Sequence, residues 1–261
     1  MKIEELKMVY INLDSRTDRE AHMQETIKNS GLPLQRVRAI PYTECDTANS
    51  KHQKMMLRTP GALGCHISQT NCIREALAEG KDLLLCEDDI VFSSDIKERL
   101  QIVSEFCNTH EWDVMNLGGT VHVDFPRWHD KGHTNSELKE CSCTLERDLE
   151  CTDNKHIYRV YGMWSTYCWL INHKSMEKLL ALFEEHIKTS IGIDWLMIRL
   201  APQLKCYAFL PGSAKQIDSQ SSIGDGVTFF SAFHTLGAHW FQDKLSDFDS
   251  ETYNWGEAKI K

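Results

Sequence analysis

Short apolar runs alternate with amphipathic segments along most of the chain. The run at 82–86 is continuously apolar in its centre and is typical of a buried strand, and the run at 7–13 has the same character. Helix signals lie between such runs, for example Asp14, Ser15 and Asp18 before an amphipathic stretch that stops at Gly31. The predicted strands are 7–13, 35–40, 82–86, 113–117, 157–161, 166–172 and 206–210, and the predicted helices are about 14–30, 63–78, 93–107, 175–187 and 194–201.

Strands that alternate with helices predict an α/β fold, in which helices flank a central, mostly parallel sheet. Two segments interrupt this pattern. Residues 120–156 are polar and rich in His and Cys, which predicts an insertion or flap. The tail from about 211 is rich in Ser, Gly and aromatic residues. We see no boundary between two domains and expect a single domain over 1–261.

The interrupting segments leave metal binding open as an alternative. Cys141, Cys143 and Cys151 could form a zinc site with nearby His, but their one-residue Cys spacing favours a plain flap. In the tail, His234 or His239 could fold back as an extra metal ligand, although such aromatic tails more often pack on a sheet.

The charge balance argues against nucleic acid as a partner. The chain of 261 residues has 29 Lys and Arg against 38 Asp and Glu, a formal net charge of −9. It contains no apolar run near the ~20 residues that a transmembrane helix needs. The first residues lack the apolar core of a signal peptide. We therefore expect a cytoplasmic protein, whose ten cysteines are mostly small buried side chains without disulfides.

Three consecutive carboxylates follow the buried run at 82–86. Glu87, Asp88 and Asp89 come at the carboxyl end of a predicted central strand, where open α/β sheets bind ligands. Alternation along an extended chain places Glu87 and Asp89 on the same side. Two such carboxylates suit a hard divalent cation that bridges protein and phosphate. The alternative is an acidic turn that precedes the helix at 93–107.

Two further stretches carry weaker signals for phosphate binding. The glycines of 60–69 open a helix, whose free backbone N–H groups can approach a phosphate. Plain packing of the helix on the sheet explains them equally well. In 12–19, Arg19 could pair with a phosphate, or it could form a surface ion pair at a capped helix start.

In their order along the chain, these motifs resemble glycosyltransferase family 25, which includes lipopolysaccharide-type and collagen-type galactosyltransferases. The likeness spans roughly residues 8–225. The residues that carry it are 9–14 with Arg16 and Arg19, 36–40, 61–65 with Ser68, 87–89, 166–171 with 178–180, and 193–195.

The resemblance implies a GT-A (Rossmann-like) fold and inverting transfer of a hexose, such as galactose, from a UDP-sugar to an acceptor hydroxyl on a glycan or another molecule. It implies that Glu87 and Asp89 hold Mn²⁺ or Mg²⁺ against the donor diphosphate. The residues that it places in the nucleotide pocket are Asn12, Leu13, Arg19, Ser68 and Asp88.

Asp194 is the candidate general base. It lies at a predicted helix start beside Trp195, which could stack on a sugar ring, and a carboxylate near apolar surface tends to have a raised pKa. An ordinary helix N-cap is the alternative role.

The chain departs from the family pattern at Gln69, where the family has His, and at Ser222, where it has Asp. These departures keep open a non-catalytic sugar- or nucleotide-binding module. A nucleotidyl- or phosphotransferase is the third alternative, although no Gly-Lys-Ser/Thr phosphate loop is present.

Overall fold

The computed structural model describes residues 1–46, 60–121, 149–160, 163–189, 192–210 and 212–217. Its strands are β1 (Lys7–Asn12), β2 (Gln35–Arg38), β3 (Leu83–Glu87), β4 (Ile90–Phe92), β5 (Val114–Val121), β6 (Leu149–Cys151), β7 (Ile157–Val160), β8 (Met163–Ile171), β9 (Cys206–Phe209) and β10 (Ala214–Gln216). Its α-helices are α1 (Thr17–Ser30), α2 (Pro60–Glu79), α3 (Ile96–Thr109), α4 (Met176–His186) and α5 (Ile193–Leu200).

Eight strands form the main sheet in the order β2-β1-β3-β8-β5-β9-β7-β6. The pairings make six of these strands point the same way, and β8 and β7 run against them. The sheet is thus mostly parallel in direction, as the alternation of strands and helices predicts. The two remaining strands, β4 and β10, form a small antiparallel pair.

Helices cover both faces of the main sheet, because its central strands are apolar on both sides. Along β1, Met8 and Tyr10 point to one apolar cluster, and Val9 and Ile11 point to the other. Helices α1 and α3 contribute to the first cluster, and α2, α4 and α5 contribute to the second. This three-layer arrangement explains why the strands predicted from the sequence are continuous apolar runs rather than alternating ones.

The strand order reverses direction at β1. From β1 the chain passes through α1 to β2 on one side, and then through α2 to β3 on the other side. Because α1 and α2 lie on opposite faces, the carboxyl ends of β1 and β3 form a topological switch point, where open α/β sheets bind ligands. Asn12 and Glu87 are the last residues of these two strands.

The structure corrects several details of the sequence prediction. Strands β4, β6 and β10 are not predicted, because three residues are too few to show a period. Helix α3 begins at Ile96 after its N-cap Asp95, three residues later than the predicted start at 93. The seven cysteines whose side chains are described are free, and all but Cys65 are buried, which agrees with their expected role as small buried side chains. In the part of the chain that is described, no helix has the length and apolarity needed to cross a membrane.

Candidate functional site

Acidic side chains gather beyond the carboxyl ends of β1 and β3. Glu87 ends β3, and Asp88 and Asp89 form the turn that leads into β4. Asp194 lies in the first turn of α5, and its negative charge raises the pKa of Glu87. The topology therefore brings the predicted metal-binding motif and the candidate base to the same edge of the sheet.

A buried arginine holds the two aspartates of the motif. Arg19, in the first turn of α1, places Nη1 2.6 Å from Asp88 Oδ1 and Nη2 2.9 Å from Asp89 Oδ2. All three side chains are buried. Burial raises the pKa of Asp89, although the guanidinium acts in the opposite direction. The guanidinium expected to face a phosphate is thus in contact with protein carboxylates.

Asn12 connects the motif to a second arginine, which the sequence analysis does not single out as a site residue. The Asn12 Nδ2 donates to Asp88 Oδ2 at 2.8 Å, and its Oδ1 accepts from Arg36 Nη2 at 2.8 Å. Arg36 also pairs with Asp14 and Glu20. Its presence in the family-like stretch 36–40 is the signal that could have identified it.

The start of the C-terminal tail is tied to the acidic turn. The Gln216 Nε2 donates to both carboxylate oxygens of Asp89, at 3.1 and 3.0 Å, and the backbone N–H of Ile217 donates to the Asp89 carbonyl at 2.7 Å. The pairing of β10 with β4 sets this position, since Gln216 lies opposite Ile90. Asp89 is therefore held from both sides, by α1 and by β10.

Glu87, the third carboxylate of the motif, has different contacts from Asp88 and Asp89. Among the described residues, no Lys or Arg nitrogen lies within salt-bridge distance of it. The Gln69 Nε2 donates to its Oε1 at 3.3 Å, and the Cys65 thiol lies 3.8 Å from the same atom. Burial, followed by the charges of Asp89 and Asp194, raises the pKa of Glu87 well above its usual range. Such a group favours binding of a proton or a cation.

Asp194 occupies the second position of α5 rather than its N-cap, which is Gly192. Its Oδ1 accepts from the backbone N–H of Thr166 at 3.0 Å and from the Thr166 hydroxyl at 3.2 Å. Burial raises the pKa of Asp194 to about 6. This carboxyl therefore changes its protonation state close to neutral pH, which suits a proton acceptor.

Two of the residues expected in the nucleotide pocket have structural contacts of their own. The Ser68 hydroxyl accepts from the backbone N–H of Ile40 at 2.8 Å and donates to the Gly64 carbonyl at 2.7 Å. Leu13 is partly buried, and its carbonyl accepts from the Arg16 N–H at 2.9 Å. Their contacts with a donor nucleotide remain predictions.

Gly64 lies where helix α2 approaches the chain after β2. A Cβ at this position would stand 2.5 Å from the Ile40 carbonyl oxygen. Close packing therefore accounts for this glycine of the 60–69 stretch. The packing alternative explains it without a phosphate.

The chemistry of the acidic cluster fits a hard divalent cation. Carboxylate oxygens are the ligands that Mg²⁺ and Mn²⁺ prefer. Asp88 and Asp89 share one guanidinium, and Glu87 lies close enough to Asp89 and Asp194 to feel their charges. Burial raises the pKa of Glu87 most, and the negative charges of Asp89, Asp194 and Asp88 raise it further. In the described ranges, however, no three His, Cys, Asp or Glu side chains are arranged as a metal site.

Several predicted features lie outside the described residues. They include the side chain of Trp195, the family departure at Ser222, the possible zinc ligands Cys141 and Cys143, and both tail histidines. The side chain of Cys151, at the end of β6, is also not described.

The acidic cluster thus lies at the switch point of an α/β sheet, the edge at which open α/β folds bind their ligands. Residues 6–197, nearly three quarters of the chain, match the family model of glycosyltransferase family 25, described as LPS biosynthesis protein. The chain belongs to this family and is a glycosyltransferase. The match confirms the resemblance seen in the motifs and, together with the sheet topology, the GT-A fold class.

Solved structures give more distant likenesses. The galactosyltransferase LgtC, in complex with donor and acceptor sugar analogs, is 11% identical, with a TM-score of 0.43 and coverage of 94% of this chain and 98% of that one. Protein A197 from STIV is 12% identical, with a TM-score of 0.41 and coverage of 79% and 82%. Mouse xyloside xylosyltransferase 1 is 11% identical, with a TM-score of 0.37 and coverage of 78% and 70%. No curated protein sequence matches the chain significantly.

Proposed function

We propose that this glycosyltransferase moves a hexose, with galactose as the first candidate, from a UDP-sugar to an acceptor hydroxyl with inversion, using Mn²⁺ or Mg²⁺. The observation that carries the proposal is the placement of Asp194 beside the acidic motif. One edge of the sheet thereby holds both a carboxylate that titrates near neutral pH and a cluster with excess negative charge.

The roles follow from the contacts. Glu87 and Asp89 are the residues that would hold the cation, and a bound cation would neutralise the charge of the leaving diphosphate. Arg19 fixes Asp89 from the side of α1. Asn12 fixes Asp88 in turn, so the motif is kept in one conformation before the donor binds.

Asp194 would accept the proton of the acceptor hydroxyl. Thr166 hydrogen-bonds only one of its carboxylate oxygens, Oδ1. Within the described residues, no group donates to the other oxygen, Oδ2. We therefore assign Oδ2 as the oxygen that would accept the proton. Inverting transfer requires such a base on the face of the sugar opposite the leaving group.

The test measures donor binding and turnover separately. Calorimetry with UDP-galactose, UDP-glucose and other UDP-sugars, with and without Mn²⁺, reports donor binding, and release of UDP reports turnover. We expect Asp194→Asn to keep the donor Kd while it lowers kcat by about 10²–10⁴-fold, because a base acts only in the transition state.

We expect Glu87→Gln to abolish metal-dependent binding of the donor. Glu79→Gln is the matched control. Glu79 is an exposed carboxylate on α2 that pairs with Lys7, at the opposite end of β1 from the site. UDP-sugar binding without any turnover would support the non-catalytic module instead. No binding of any UDP-sugar by the folded protein would refute the proposal.

A further inference from the structure

Gln69 lies beneath the carboxylates, in the middle of α2, and its side chain is fully buried. Its Nε2 lies 3.3 Å from Glu87 Oε1 and 3.2 Å from Thr166 Oγ1. One amide group therefore contacts the end of β3 and the middle of β8. The Cys65 sulfur, one turn earlier on α2, lies 3.3 Å from the same nitrogen.

The Gln69 amide nitrogen has two hydrogens, which reach two oxygen acceptors, Glu87 Oε1 and the Thr166 hydroxyl. The Cys65 sulfur, a weaker acceptor, shares the same donor. The Thr166 hydroxyl then donates its own hydrogen to Asp194 Oδ1. The result is a directed chain of hydrogen bonds that begins at Gln69 and ends on a carboxylate at each side.

The carbonyl oxygen of the Gln69 amide indicates that packing alone does not require a polar side chain at this position. The Gln69 Oε1 is buried and has no hydrogen-bond partner among the described residues. A buried carbonyl without a partner is unfavourable, so an apolar residue of similar shape would pack here at no such loss. What the amide provides, and an apolar residue would not, is its pair of donors.

We propose that Gln69 and Thr166 are positioning residues of the transferase, which fix the Asp194 carboxylate and the Glu87 carboxylate relative to each other. This inference rests on the proposed function, because it assigns Asp194 to the acceptor hydroxyl and Glu87 to the donor diphosphate. Through Thr166, one buried amide sets the distance between the two halves of the reaction. Small errors in such placement reduce turnover strongly.

The experiment compares substitutions that keep shape with substitutions that keep hydrogen bonding. Gln69→Met retains the length of the side chain without its donors. Thr166→Val removes the hydroxyl, and Thr166→Ser keeps it. Gln101→Met is the matched control, because Gln101 is an exposed helical glutamine that contacts Glu105 on α3.

We expect Gln69→Met and Thr166→Val each to lower kcat for UDP-galactose with Mn²⁺ by about 10- to 100-fold. The KM for the donor should change by less than about threefold, since bulk donor binding is left in place. Thr166→Ser should restore most of the activity, and Gln101→Met should match the wild type. The double variant should lose no more than the worse single variant, because the two groups act in series.

Urea unfolding of each variant measures the fraction of folded protein, so that a loss of kcat is not mistaken for a loss of folded enzyme. If the wild type is active and the kcat values of Gln69→Met and Thr166→Val are within about twofold of its kcat, the positioning role is wrong while the proposed function stands. Losses that multiply in the double variant, or Thr166→Ser as inactive as Thr166→Val, would also overturn it. A wild-type protein that binds no UDP-sugar would overturn the proposed function and this role together.

Discussion

Arg19→Met tests whether the acidic motif is held from within the protein. The guanidinium contacts Asp88 and Asp89 at 2.6 and 2.9 Å, and the exposed fractions of the three side chains are only 8%, 9% and 5%. Methionine keeps the side-chain volume but leaves two buried carboxylates without their cation. Removing one partner of a buried ion pair typically costs about 3–5 kcal/mol. We expect a loss of this size in the free energy of unfolding at pH 7.

Arg16→Met is the matched control from the adjoining turn. Arg16 pairs with Asp18 at 2.8 Å, but the exposed fractions there are 19% and 65%. Ion pairs that exposed contribute about 0–1 kcal/mol. Urea unfolding of the two variants and the wild type, in EDTA to exclude metal, measures the difference. Equal losses in the two variants would refute the claim that burial makes the Arg19 pair structural.

The pH dependence of the Arg19→Met loss has a definite sign. Burial already raises the pKa of Asp89, and without the opposing guanidinium it rises further above the unfolded Asp value of about 3.9. The folded variant then binds more protons than the unfolded chain above about pH 4, so its stability falls as pH rises. The deficit relative to the wild type should be largest at neutral pH and should shrink toward pH 4. A deficit that does not change with pH would contradict this.

Two further predictions follow from the described contacts. Gly64→Ala should lower the free energy of unfolding by about 1–3 kcal/mol, because the added Cβ would stand 2.5 Å from the Ile40 carbonyl oxygen. Urea unfolding measures this loss. An unchanged free energy of unfolding would mean that the chain after β2 moves away easily. The kcat/KM of the wild type should fall tenfold per pH unit below about pH 6, since the protonated Asp194 carboxyl accepts no further proton. Any residual activity of Asp194→Asn should not show this fall in kcat/KM below about pH 6. If the fall persists in the variant, a group other than Asp194 causes it.

The sequence could predict the layers of the fold and the edge that carries the site. Apolar runs such as 82–86 are continuous because both faces of the sheet are covered, and that pattern is readable without coordinates. The placement of Glu87, Asp88 and Asp89 follows equally, because residues after a central parallel strand come to its carboxyl edge. Bringing Asp194 to the same edge required the family resemblance, since no local pattern relates α5 to β3.

The ion pairs within the site could not be predicted, because they depend on contacts distant along the chain. Arg19 in α1 and Gln216 in β10 meet at Asp89, although 197 residues separate them. Strand β10 is too short for a pattern, so the start of the tail gives no local sign that it returns to the acidic turn. An arginine near a predicted phosphate site suggests a phosphate contact, whereas burial directs this one to carboxylates.

Gln69 shows most clearly how position decides the meaning of a residue. In the sequence it is only a departure from the family's histidine, and as such it argues for a protein without turnover. In the structure its amide donates to the Glu87 carboxylate and to the Thr166 hydroxyl, which in turn donates to Asp194. A neutral imidazole has a single N–H, so a histidine here would serve one of the two acceptors unless it were protonated. The substitution is therefore compatible with an ordered site, and it gives no reason by itself to expect a loss of catalysis.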